Sequence, residues 1–205
     1  MKYNHSFDAT YGYTAEGLRG ISPPPEPADF DQFWQATRAE AEQVPVDLRV
    51  RRLSSASPRH EVSEVRYRTL GGLDLGAWLV LPRGRPVKMG VVMGHGYGGR
   101  DAVEYPQRDA AFLFTCAPGF SLSAAPGLPN TAGRHVVHGL QHRDTYLIRH
   151  CVAALWTGAR VLGELVPEAR VRMIYRCDSF GGVTGYLALP WAPLFRKAYL
   201  AVSTF

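Results

Sequence analysis

Ser179 lies in the run Arg176-Cys177-Asp178-Ser179-Phe180-Gly181-Gly182, directly after the apolar stretch Val171-Arg172-Met173-Ile174-Tyr175. A strand that breaks into a sharp turn at a serine and enters a glycine-rich helix start is the pattern of a nucleophile elbow. The chemistry it points to is acyl transfer, in which the hydroxyl attacks a carbonyl carbon and the N–H of the next residue, Phe180, faces the oxyanion. A second turn, Gly94-His95-Gly96-Tyr97-Gly98-Gly99, follows Val91-Val92-Met93. Its glycines, Gly96 and Gly98 among them, allow a tight path in which the main-chain N–H of Tyr97 points at the same oxyanion, with His95 shaping the turn. Each half alone has a plainer reading, a simple turn or a serine helix cap. Both fall at the C-terminal end of a parallel-type strand, where open α/β sheets place their sites, so the two turns are expected to meet. A phosphate-binding reading of residues 94–99 fails, because no GK[ST] follows and no helix pattern opens there.

A serine nucleophile needs a base and an orienting acid, and in this arrangement both follow it in the chain. Residues 180–205 contain no Asp, Glu or His. The candidates His5, His60, His95, His135, His138, His142 and His150 all precede Ser179. His95 belongs to the glycine turn and reads as a support for it rather than as the base. His135, His138 and His142 cluster in a loop without the closed, regularly spaced ligand set of a zinc site, and read as surface or loop-packing side chains. The expectation is a nucleophile and two oxyanion donors without base or acid. Such a chain is weak or inactive alone, with a residual rate of roughly 10³–10⁴-fold over water from the oxyanion hole and binding.

Several elements must position these residues. The cluster Ser22-Pro23-Pro24-Pro25-Glu26-Pro27 makes residues 1–28 an extended lead-in, and residues 29–205 read as one partial α/β domain. Asp29, with Gln32 three residues on, opens an amphipathic helix with Phe30, Phe33, Trp34 and Ala41 on one face. Residues 61–70 alternate, Gly71-Gly72 turns the chain, and residues 73–81 form the second strand of an antiparallel hairpin. The short apolar runs at 91–93 and 111–114 read as strands covered on both faces, hence parallel. Residues 144–165 carry Leu147, Cys151, Leu155 and Leu162 at helical spacing, with Asp144 as the cap, and deliver the chain to a strand at 171–175. That makes a right-handed crossover. A helix over 181–189, stopped by Pro190, and a strand at 198–202 follow. Ending on a buried-type strand leaves its edge bare, which reads as truncation. Met173, Phe112, Phe114 and Trp156 are assigned to the core.

With 205 residues, 46% of them hydrophobic, one domain with a sizeable core is expected. The charge of +5 comes from 20 Arg and 3 Lys against 18 acids, spread without a dense block, which argues against nucleic-acid binding. Arg49-Val50-Arg51-Arg52 and Arg83-Gly84-Arg85 read as solvated loop or edge charges. No apolar run approaches a membrane span and the N-terminus lacks an apolar signal core, so a soluble cytoplasmic protein is expected. Cys116, Cys151 and Cys177 show no metal spacing and read as reduced structural thiols.

Several blocks together carry a family likeness: residues 22–34, His95-Gly96-Tyr97-Gly98-Gly99-Arg100, the loop 123–131, His135-Val136-Val137-His138-Gly139-Leu140 with Arg143-Asp144-Thr145-Tyr146, and Ser179-Phe180-Gly181-Gly182. In this order they resemble acetyl xylan esterase / cephalosporin C deacetylase, a carbohydrate-esterase branch of the α/β-hydrolases. The resemblance implies an α/β-hydrolase fold, a mostly parallel sheet with flanking helices truncated before its C-terminal strands. It also implies deacetylation of small acetylated sugars and related esters, no metal or organic cofactor, a cytoplasmic location and often a ring-like homo-oligomer. Carried over position by position, Ser179 is the nucleophile and the N–H groups of Tyr97 and Phe180 form the oxyanion hole, while the family's Asp and His fall beyond residue 205. Three positions depart from the pattern. Cys177 replaces the first elbow glycine, Asp178 sets a carboxylate beside the nucleophile, and Pro118 stands where an arginine is usual, which is expected to loosen that loop. The alternative reading is a non-catalytic remnant that binds acetylated ligands or packs against a partner chain.

Overall fold

The computed structural model describes residues 6–8, 10–106 and 108–203. The candidate His5 lies outside the described residues. The chain divides into two compact units, Met1–Gln32 and Phe33–Phe205. In the first, a short helix α1 (Ala15–Arg19) is capped by Thr14, whose hydroxyl accepts the Gly17 N–H at 3.0 Å. The lead-in is therefore not extended throughout. Its proline cluster, which cannot donate helical hydrogen bonds, has no regular structure. Helix α2 (Phe30–Gln43) spans the boundary between the units.

The second unit is built on one seven-stranded sheet formed by β1 (Arg49–Leu53), β2 (His60–Arg68), β3 (Asp74–Pro82), β4 (Met89–Met93), β5 (Ala110–Thr115), β6 (Met173–Asp178) and β7 (Phe195–Ala201), in the order β1-β2-β3-β5-β4-β6-β7. Strands β2, β4, β5, β6 and β7 run one way, and β1 and β3 the other. The hairpin expected around Gly71-Gly72 is β2–β3, and both glycines take positive φ, 71° each, a conformation that strains other residues. Arginines 49, 51 and 52 lie on β1, an exposed edge strand in which the alternating ladder survives because Arg51 pairs with Glu64 and Arg52 with Glu61.

Between β5 and β6 runs α4 (Leu147–Leu165), which packs over β4 and β5; α3 (Ala132–His135) is a single turn in the excursion before it, and α5 (Phe180–Ala188) follows β6. Helix α4 is buried on nearly all sides, with Leu147, Cys151, Leu155 and Leu162 all in the core. Its cap differs from the expectation. The helix starts after Tyr146 without a side-chain cap; Asp144 stands two residues earlier, where its N–H donates to His142 Nδ1 at 3.2 Å and its carbonyl accepts from Arg149 at 3.4 Å. Likewise β6 starts at Met173, two residues late, since the tight turn Pro167–Val171 leaves Val171 78% exposed.

The side chains of Val91, Met93, Phe112 and Phe114 form the opposite face of the sheet with Val62 and Val80, and Val103 and Tyr105 of the β4–β5 connection pack against it. Gly90 faces the helical layer, where a Cβ would come 2.8 Å from that of Ala169 and 3.0 Å from Leu162. The Trp156 indole N–H donates to the Ala188 carbonyl at 2.9 Å and ties α4 to the end of α5. No helix among the described residues is long and apolar enough to cross a membrane. The expected α/β-hydrolase architecture is the one the chain adopts, and its consequence for chemistry is that β4 and β6 are direct parallel neighbours, with Met93 opposite Arg176.

Candidate active site

At the C-terminal end of β6, Cys177 and Asp178 complete the strand and α5 begins at Phe180, so the whole change of direction falls on Ser179. Its backbone stands at φ 51°, ψ −120°, a sparsely populated region for any residue with a Cβ. Two hydrogen bonds hold it there. The Ser179 N–H donates to the Ala201 carbonyl of β7 at 2.9 Å, and the Gly182 N–H donates to the Ser179 carbonyl at 2.8 Å. Ser179 is half-buried between a buried Cys177 and a buried Phe180, with Asp178 turned to solvent.

The second turn leaves β4 directly beside the elbow. Gly94 N–H extends the ladder to the Arg176 carbonyl at 2.9 Å, and Gly99, at φ 74°, closes the turn by donating to the Gly96 carbonyl at 3.0 Å. A Cβ built on Gly96 would lie 3.5 Å from the Ser179 Cβ and 3.9 Å from its Oγ, so the two turns face each other across the space of about one methyl group. Gly181 is sterically required, because a Cβ there would come 2.8 Å from the Cys177 Cβ and 3.1 Å from the His95 carbonyl. Gly98 meets neither demand. A Cβ on it would have nothing within 4 Å, and its φ is not in the left-handed region.

His95 ties three segments together. A carbonyl can only accept, so the 2.7 Å contact of Nδ1 with the Gly96 carbonyl places the ring proton on Nδ1. Nε2 then accepts the Ala117 N–H at 2.9 Å, while the His95 carbonyl accepts the Gly181 N–H at 3.1 Å. Burial pushes the imidazole pKa down, so the ring is held neutral. With both nitrogens occupied, His95 has no lone pair to take a proton from Ser179.

The N–H of Tyr97 donates to no backbone carbonyl in this turn, and that of Phe180 is the first of α5, where no intrahelical acceptor exists. Their side chains stack on each other, with ring centroids 4.4 Å apart and planes 25° from parallel. Phe120 and His135 pack around that pair, His135 lying 5.5 Å from Tyr97 and 5.2 Å from Phe180. His135 is fully buried and is the loop-packing member of the cluster, whereas His138 and His142 are exposed. It reaches across to donate from Nε2 to the Pro118 carbonyl at 3.0 Å, and burial lowers its pKa as well. The loop at Pro118 is accordingly well tied. Ser123 Oγ donates to the Cys116 carbonyl at 2.7 Å and accepts the Gly76 N–H at 2.9 Å, and Gly119 N–H donates to the Ser123 carbonyl at 3.0 Å.

Cys177 fits at the elbow because its two contacts lack side chains, Gly181 on one side and Gly94 on the other, where a Cβ would sit 2.9 Å from that of Cys177. All three thiols are free and buried, and burial pushes Cys116 and Cys177 up to about 11 and Cys151 higher still. Sequence reasoning missed Arg100. Its guanidinium donates to the Gly94 carbonyl at 2.7 Å and lies 4.8 Å from the centre of the Phe114 ring, clamping the start of the glycine turn. Its position right after Gly99 was the only signal. An open cleft of about 340 Å³ borders the site, with Gly96, Arg100, Glu104, Arg176 and Asp178 on its walls. Among the described residues no group of three or more His, Cys, Asp or Glu could hold a metal ion.

A family model described as acetyl xylan esterase (AXE1) matches residues 16–203. Among solved structures, acetyl xylan esterase 1 from Thermoanaerobacterium sp. JW/SL YS485 superposes with a TM-score of 0.76 at 20% identity, over 91% of this chain and 62% of that one. The acetyl xylan esterase from Paenibacillus sp. R4 gives 0.72 at 19% identity, over 91% and 63%. At that identity the likeness is one of fold, and the chain spans somewhat less than two thirds of either structure. No curated protein matches.

Proposed function

Because the chain belongs to the acetyl xylan esterase family, we propose that Ser179 is the nucleophile of a serine carboxylic-ester hydrolase that removes acetyl groups from small acetylated sugars or related esters. The observation that carries this reading is the strained Ser179 backbone at the β6–α5 junction, beside the glycine turn whose His95 carbonyl accepts the Gly181 N–H. Strain of this kind persists only where the surroundings over-determine it, and it clusters at functional sites.

In the proposed reaction Ser179 Oγ attacks the acetyl carbonyl carbon, and its proton passes through a base to the departing sugar oxygen. The Tyr97 and Phe180 N–H groups meet the negative charge that develops on the carbonyl oxygen, and pre-aligned donors of this kind supply about 2.7–4 kcal/mol each where they have been removed. Water then attacks the acetyl-serine and releases acetate. Stacking of the Tyr97 and Phe180 rings holds the two donors in register, and the His95 bonds hold the turn against α5. The base is not His95, whose nitrogens are both engaged, nor His60, whose ring lies between Ser57 Oγ at 2.8 Å and the Pro106 carbonyl at 3.1 Å. Residues 180–205 offer no candidate. On this reading, as the family resemblance implies, the base and its orienting acid come from outside the 205 residues, which alone react slowly.

The test is hydrolysis of p-nitrophenyl acetate by the chain and by Ser179→Ala at matched concentration, with folding checked by circular dichroism. A rate that falls in the variant supports the reading. Equal background rates from two folded proteins count against Ser179 acting in this chain by itself and favour a ligand-binding or partner-packing role.

A further inference from the structure

Directly behind the glycine turn and the elbow, between the sheet and helices α4 and α5, lies a cavity of about 30 Å³. Tyr67, Thr115, Cys116, Cys151, Tyr175 and Thr184 supply its functional groups, and Gly94, His95 and Gly181 form the side nearest the candidate site. A water molecule needs roughly 10–15 Å³ measured in this way, so the space holds one or two.

The protons of the lining hydroxyls show what the cavity is built to hold. Thr115 Oγ1 donates to the Met93 carbonyl at 3.1 Å. Tyr175 Oη and Thr184 Oγ1 both donate to the Gly181 carbonyl, at 2.8 and 3.0 Å. These three hydroxyls have spent their protons and can only accept. Tyr67, on β2, is the reverse. Its side chain has 0% exposure, and its hydroxyl has no hydrogen-bond partner. A phenol left in that state costs about 1–3 kcal/mol. An occupant that fits must accept one hydrogen bond and donate two, which is the hydrogen-bonding valence of water and not of an apolar group.

We propose that this cavity is an ordered hydration site in which water accepts a hydrogen bond from the Tyr67 hydroxyl and donates to two of the hydroxyl oxygens of Thr115, Tyr175 and Thr184. The site joins β2 to the ends of β4 and β6. It also reaches the candidate oxyanion hole by two short routes, through Thr115 to the last residue of β4 and through Tyr175 and Thr184 to the Gly181 carbonyl, one residue after the Phe180 donor. The sheet-to-helix junction is thereby completed by solvent where the side chains alone leave the Tyr67 donor unmatched. The inference does not depend on the esterase reading.

The experiment is a high-resolution crystal structure of the chain, recorded with and without xenon under pressure, and the same for Tyr67→Phe. The expected result is a density peak about 2.6–3.2 Å from Tyr67 Oη, the range of a hydrogen bond. Xenon should stay out of the unmodified cavity, and the peak should be weaker or displaced in Tyr67→Phe. A cavity with no such peak, or one that takes up xenon in the unmodified chain, would overturn the proposal. If the variant fails to fold, the unmodified chain decides the matter alone. No outcome passes through an activity assay, so an inactive enzyme and a dry cavity remain separate results.

Discussion

Replacing Ser179 by glycine should stabilise the fold while removing the proposed nucleophile. The relevant comparison is with Ser179→Ala, because both variants lose the hydroxyl and only alanine keeps a Cβ at φ 51°, ψ −120°. Holding a non-glycine residue in such a region costs about 1–3 kcal/mol. Glycine returns about 0.4–1 kcal/mol of that through the greater freedom it gives the unfolded chain. The net advantage of glycine over alanine is therefore about 1 kcal/mol. The two bonds that hold the turn, Ser179 N–H to Ala201 and Gly182 N–H to the Ser179 carbonyl, are main-chain bonds and survive in both variants. Urea unfolding followed by fluorescence of the four tryptophans gives the readout. With a slope near 2 kcal/mol per molar urea, the glycine variant should unfold at a midpoint about 0.5 M higher than the alanine variant. A glycine midpoint equal to or below that of alanine would refute the claim that the elbow is strained.

Three further outcomes follow from the same geometry. His95→Ala strands the Ala117 N–H and the Gly96 carbonyl and opens a hole beside Phe120; a loss of about 2–4 kcal/mol in urea unfolding is expected, and a loss below about 1 kcal/mol would show that the ties are dispensable. Burial lowers the pKa values of His95, His135 and His150, so between the folded values and the ordinary one near 6.5 the unfolded chain binds more protons. The stability these rings contribute is complete above about pH 7 and lost as pH falls below about 6.5, and a urea midpoint that stayed flat between pH 7.5 and 5.5 would contradict it. Finally, Cys116, Cys151 and Cys177 are buried thiols with raised pKa values, so a disulfide reagent at pH 8 should modify the native chain slowly and all three thiols at once in urea; rapid reaction of one thiol in the native state would place it at the surface.

Most of the site's main-chain frame was legible. The glycine spacing around His95 and the serine before Gly181-Gly182 each report a local backbone path, and local paths are what short sequence patterns encode. Errors arose where an isolated signal competed with a tertiary one. Asp144 has the chemistry of a helix cap but stands before Tyr146, the residue at which the helix begins without a side-chain cap. Gly98 sits in a glycine-rich turn and has open space around it, whereas Gly181 carries the steric demand. His135 resembles its neighbours His138 and His142 in sequence, yet it alone turns inward, because Pro118 offers a carbonyl and Tyr97, Phe120 and Phe180 offer ring faces from three distant segments.

The amino-acid sequence by itself determined which segments are strands and helices, where the chain must turn sharply, and that a serine and two main-chain donors stand at strand ends. Those properties depend on hydrophobic period and on glycine, proline and serine chemistry within a few residues. Only the tertiary structure decided that β4 lies directly beside β6, that Tyr97 stacks on Phe180, that both nitrogens of His95 are occupied, and that Tyr67 brings an unmatched proton to the cavity behind the site. Each of these joins residues from separate segments of the chain, and such contacts are set by sheet order and side-chain packing, which no short stretch of sequence specifies.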